Sequence, residues 1–152
     1  MHETFTAVVG TVLNEPRRRR TASGDEIISF RMASNSRRFD RETGQWVDGA
    51  KLYLTVTCWK RLVAGVGAAI AKGRPVIAYG TIRTNEYTTS DGEKRADLEM
   101  SAHAVGIDLA RGWVTYQGPI RLGDNGQPIE VGQPETPADA AASPLEVAAT
   151  AA

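Results

Sequence analysis

The segment Lys51–Lys60, KLYLTVTCWK, alternates without a break. Leu52, Leu54, Val56 and Cys58 take one side, and Tyr53, Thr55, Thr57 and Trp59 take the other. A strand places successive side chains on opposite faces. Two large aromatics therefore stand among threonines on the face the apolar residues do not use. Two readings stay open at this point. Tyr53 and Trp59 offer π-faces to a flat ligand, or they pack beneath a loop or a second subunit. Tyr87, just before the Thr88–Gly92 turn, is similarly a stacking group or a cross-strand packing partner.

Cations surround these aromatics. Arg37, Arg38 and Arg41 flank Phe39, and Lys60 and Arg61 follow Trp59. Lys72 and Arg74 lie beyond an Ala-rich segment, and Arg83 precedes Tyr87 by four. Aromatic faces interleaved with Arg and Lys suit single-stranded nucleic acid, where bases stack and phosphates need counter-charge. The run Arg17–Arg20 is either a solvated basic loop or a phosphate contact.

Catalytic constellations are missing. His2 is terminal, and His103 falls within an alternating segment. Cys58 lies on the apolar face, where a thiol is inert. Asp97 and Glu99 share a face that reads as solvated. Gly65-Val66-Gly67 lacks the glycine and lysine of a phosphate loop. No catalytic residue, metal site or cofactor is expected, and the chain is read as a non-enzyme.

These groups need a scaffold, and the pattern before residue 112 supplies one. Strands are expected over Thr4–Leu13, Glu26–Asn35, Lys51–Lys60, Pro75–Tyr87 and Ala96–Ile107. Turns fall at Thr21–Asp25, Glu42–Gly44 and Ser90–Glu93, where Gly and Asp meet the demands of reversals. Arg61–Lys72 is Ala-rich with Leu62, Val63, Val66 and Ile70 at helical spacing and ends at Gly73, so a helix joins strands three and four. Three strands, a helix and two strands is the chain order of an all-β OB-fold, a five-stranded Greek-key barrel that binds oligonucleotides or oligosaccharides.

Composition sets the outer limits. The chain has 152 residues and no net charge, but the charge is uneven. Residues 1–112 hold 17 Lys/Arg against 13 Asp/Glu, a net of +4; residues 113–152 hold 1 against 5, a net of −4. The barrel is assigned to 1–112. Residues 113–118, containing WVTYQ, are read as a possible extra clamp strand, and 119–152, rich in Pro, Gly and Ala, as a disordered tail. A single cysteine, no basic leader and no membrane-length apolar run point to the cytoplasm.

The residues also resemble a family, the bacterial single-stranded DNA-binding proteins. The matching pieces run from Thr11–Pro16 through Ala33–Ser36, Asp40–Gly44 and Tyr53–Trp59. They continue with Leu62, the Lys72-Gly73 turn, Tyr79–Thr84, and Tyr87 before Asp91-Gly92. The resemblance implies an OB-fold, a homotetramer and sequence-independent binding and protection of single-stranded DNA in replication, recombination or repair, at the nucleoid. It places stacking aromatics on Tyr53, Trp59 and Tyr87. A further family aromatic falls on Arg38, with Phe39 adjacent. Phosphate-binding cations map onto Arg41, Arg61, Lys72 and Arg83. Asn85 and Glu86 stand where many members are basic. The last residues, Ala148–Ala152, lack the acidic tip with a bulky apolar end that recruits repair proteins, so that recruitment is not expected, and the chain resembles a tail-less paralogue. The alternatives are a protein-interaction adaptor or a single-stranded RNA binder.

Overall fold

The computed structural model describes residues 2–116, 118–119, 121–124 and 128–129. Two compact units result, one over 1–115 and one over 116–152.

The first unit holds β1 (Thr4–Val12), β2 (Arg17–Arg20), β3 (Glu26–Asp40), β4 (Gln45–Trp59), α1 (Arg61–Ala69), β5 (Pro75–Thr88) and β6 (Lys94–Ile107). Their order in the sheet is β1-β5-β6-β4-β3-β2, and β1 also pairs with β3. That last pairing, Thr11 with Ala33 and Val12 with Met32, closes β1, β3, β4, β5 and β6 into a five-stranded barrel. β4 and β6 run parallel, and the other barrel pairs are antiparallel. The expected OB architecture is thus present.

The barrel is filled by inward residues of alternate parity: Val8 and Val12, Ile28, Phe30 and Met32, Leu54, Val56 and Cys58, Val76 and Ala78, and Met100 and Ala102. α1 closes one end through Val63 and Val66, with Ile70 just beyond it. It is shorter than expected and stops at Ala69, where Ile70 turns extended to reach the core. Gly73, at φ 85°, then makes the return, and its N–H donates to the Val12 carbonyl at 2.8 Å. A Cβ at Gly80 would land on the Ser101 carbonyl oxygen, so the β5–β6 irregularity at Tyr79/Gly80 requires glycine. At the end of the barrel, Arg111 donates to the Gly10 carbonyl at 2.7 Å and to Asp108 at 2.9 Å. This contact, with the Ala110 N–H, holds the Asp108 carboxyl below its usual range.

Three expectations need correction. Arg17–Arg20 is a strand, paired antiparallel with Glu26–Ser29. Strands β3 and β4 are longer than the alternation suggested, and they pair out to Asp40 and Gln45 as an arm beyond the barrel. Leu52 consequently sits where the arm leaves the core, and it is exposed rather than inward. Both faces of the arm meet solvent, so its apolar residues, Phe39, Trp46 and Val47, follow no period-two pattern.

Residues 113–116 form no strand within the chain. The clamp strand expected there concerned pairing with a neighbouring subunit. In the second unit Arg121–Leu122 pairs with Pro128–Ile129, a short ladder inside the segment read as a tail. The rest of that expectation, including the chain's last residues, lies outside the described residues.

Candidate functional site

Strand register lays the outward residues of the barrel in lateral rows. One row runs Arg19, Ile27 and Trp59 across β2, β3 and β4. The next runs Arg17, Ser29, Thr57, Ser101 and Thr81 across β2, β3, β4, β6 and β5. A third runs Arg31, Thr55, Glu99 and Arg83. Paired residues share a face, so these rows form one continuous surface. A groove of about 540 Å³ lies on it, lined by Trp59, Thr55, Thr57, Arg19, Arg83 and Glu99 among others.

Trp59 ends β4 and is 39% exposed. Ile27, directly across, is buried and supports it. Tyr53 lies six residues back on the same side of β4, roughly 20 Å away along a strand, and is 49% exposed. Tyr87 follows Arg83 by four on β5, on the same parity, and is 41% exposed. The sequence left open whether these aromatics are covered; within the chain all three present open ring surface.

The cations divide. Arg83 and Arg19 line the groove. Arg41 sits in the turn at the arm's tip, next to Arg38 and Phe39 at the end of β3. There Phe39 meets Trp46 edge-on at 5.7 Å across the ladder. Arg61 begins α1 and Lys72 follows it, with the Lys72 N–H donating to the Glu15 carboxylate at 3.3 Å. Neither residue lines the groove.

Sequence reasoning missed several members of this surface. Arg31 faces Thr55, and its place between the inward Phe30 and Met32 was the available signal. Arg19, flagged in the sequence only as part of the Arg17–Arg20 run, reaches the groove because β2 pairs with β3, whereas Arg18 turns away. A Cβ at Gly67 of α1 would strike the Arg18 guanidinium, which also pairs with Glu26 at 3.6 Å. Trp46 offers a further exposed ring at the arm's tip. Glu99, read as part of a solvated face, is instead a groove residue whose side chain is only 26% exposed.

The remaining candidates for chemistry are accounted for by packing. Cys58 is fully buried, and desolvation pushes its thiol from near 9 up to about 12. His103 stands against the rings of Phe5 at 5.3 Å and Tyr79 at 6.3 Å. Among the described residues no group of His, Cys, Asp and Glu could hold a metal, and no helix is long and apolar enough to cross a membrane.

Known proteins share this sequence and this fold. A single-stranded DNA-binding protein from Corynebacterium glutamicum is 38% identical over 123 residues, which is 81% of this chain and 55% of that protein. Single-stranded DNA-binding protein 2 of Streptomyces coelicolor is 36% identical over 70% of this chain and 54% of its own length. The chain therefore spans little more than half the length of these two relatives. The crystal structure of the small single-stranded DNA-binding protein from Streptomyces coelicolor superimposes with a TM-score of 0.66 at 33% identity, covering 74% of this chain and all of that one. The second single-stranded DNA-binding protein of Mycobacterium smegmatis gives 0.56 at 35% identity, over 77% of this chain. The model of the single-strand binding protein family matches residues 4–108, from the first barrel strand to just past the last. The barrel with its aromatic and cationic face thus belongs, by sequence and by fold, to the single-strand binding protein family.

Proposed function

We propose that this chain binds and protects single-stranded DNA without sequence preference, by base stacking on Trp59, Tyr53 and Tyr87. The phosphates are followed by Arg41, Arg61, Lys72 and Arg83, with Arg38 and Phe39 extending the path along the β3–β4 arm. One observation carries the reading: three exposed aromatics share one outward parity with arginines in the adjacent strands. A base stack needs an open ring, and a backbone needs cations beside it. Binding of this kind serves replication, recombination and repair, where single strands need cover.

A second observation supports self-association into the homotetramer. Phe5, Ala7 and Val9 of β1 face outward beside Tyr79 and Ile77 of β5, all of them exposed. A contiguous apolar sheet face of this kind is a subunit interface in waiting.

The deciding experiment is a titration of tryptophan fluorescence with a thymidine oligomer at low and moderate salt, with duplex DNA and a uridine oligomer as controls. Strong quenching by the thymidine strand and little by the duplex is expected. Equal or tighter binding of the uridine strand would move the assignment to RNA. No binding at low salt would leave the barrel as a protein adaptor.

A further inference from the structure

Two carboxylates, Glu3 and Glu99, line a groove whose proposed ligand is an anion, and of the two Glu99 is the one paired with a groove arginine. Glu99 sits in the middle of the row Arg31, Thr55, Glu99, Arg83. Its Oε2 accepts from Arg83 Nη2 at 2.9 Å and from Nε at 3.2 Å, and its Oε1 accepts from Asn85 Nδ2 at 3.0 Å. Both carboxylate oxygens are thus committed on one side, to two β5 residues of the same parity, of which Arg83 lines the groove. The exposures are unequal: the Arg83 side chain is 79% open and that of Glu99 only 26%. A fork-shaped guanidinium held by two nitrogens on one carboxylate oxygen has less to offer a phosphate. Three guanidinium N–H groups stay free for a phosphate, but the half-buried carboxylate beside them offsets the Arg83 charge and repels the arriving anion. Among the described residues Arg19 is the other arginine of the groove, and it makes no ion pair.

We infer that Glu99 is a built-in competitor of the DNA backbone: it holds Arg83, offsets its charge, and so sets the affinity and salt dependence of the groove. This rests on the proposed binding of single strands to this face. Its consequence is faster release, since affinity differences within one interface appear mostly in the dissociation rate.

The test is Glu99→Gln in the full chain, measured by anisotropy of a labelled thymidine oligomer across a salt series. Glutamine keeps an acceptor for Arg83, and the Asn85 amide can rotate to meet it. We expect tighter binding, by about threefold to tenfold, and a slope of log K against log salt steeper by about 0.7, the value of one more effective phosphate contact on a single strand. Arg83→Gln alone should weaken binding. The double variant R83Q/E99Q lacks the Arg83 contact as R83Q does, but not the unpaired carboxylate, so it should bind about threefold or more tighter than R83Q; it also decides the matter if E99Q alone fails to fold. Unchanged or weaker binding by a folded E99Q, or a double variant as weak as R83Q, overturns the inference while leaving the binding assignment intact. If the unsubstituted chain does not bind the oligomer at low salt, the binding assignment falls, and this inference with it.

Discussion

Trp59→Ala is the sharpest test of the stacking surface. Trp59 is 39% exposed, and an aromatic residue of this size presents up to about 250 Å² when free. Roughly 100 Å² of ring is therefore open to a base. Covering half to all of it, at about 25 cal/mol per Å², contributes about 1.2 to 2.4 kcal/mol. This falls within the ~1–3 kcal/mol that stacked bases show on alanine substitution. The expected loss is then about eightfold to sixtyfold in affinity. The assay is anisotropy of a labelled thymidine oligomer, since the substitution removes one of the three tryptophans that intrinsic quenching reads. Stability must be followed in parallel, because the buried part of the indole packs against its neighbours and its loss also costs folding energy. Trp59→Phe separates the two effects: it keeps a ring on the same strand position and should retain most of the affinity. An alanine variant with unchanged affinity and an intact melting transition would refute the stacking role, whatever the family resemblance implies.

Three further predictions follow from the same geometry. Arg17 and Arg19 face the groove side of β2, so replacing both with Ala should flatten the salt slope by up to about 1.4, about 0.7 for each lost contact, while R18A/R20A should flatten it much less. Equal slopes for the two pairs would return the run to a solvated basic strand. The Cys58 thiol ionises near 9 when unfolded and at about 12 when folded. Its burial therefore stabilises the fold fully below about pH 9, and that contribution declines as pH rises from 9 toward 12. In native protein Cys58 should resist alkylation at pH 8 and react only on unfolding; rapid native labelling would contradict its burial. Finally, Val9→Glu or Tyr79→Glu, on the apolar face of β1 and β5, should lower the oligomeric state in sedimentation while leaving the barrel folded. An unchanged assembly would place the subunit contact elsewhere.

Local patterning carried much of this protein's reading, and the reasons differ by element. The alternation in Lys51–Lys60 was enough to assign Tyr53 and Trp59 to the outward face, because strand periodicity is a property of the backbone alone. Leu54, Val56 and Cys58 were legible as core for the same reason. The helix after β4 was also legible, although its last turn was not: Ile70 leaves the helix to reach the core, and a helical period cannot register that pull. Arg17–Arg20 reads as a basic loop, solvated or touching phosphate, since four like charges carry no alternation that would mark a strand. Only pairing with Glu26–Ser29 decided the matter, and with it that Arg17 and Arg19 take the groove's face, where Arg19 lines it.

Glu99 shows the same limit more sharply. From sequence, Asp97 and Glu99 look like an ordinary polar face of a strand. What gives Glu99 its surroundings is sheet closure: β6 lies parallel to β4 and antiparallel to β5, which sets the carboxylate between Thr55 and Arg83. Those partners are separated from it by 44 and 16 positions along the chain. Within the barrel, with Leu52 at the arm junction the exception, the sequence by itself determined which strand side chains point in and which point out, because that follows from a local period of two. The tertiary structure alone decided which outward groups became neighbours, because register and closure depend on contacts between distant segments that no local period encodes.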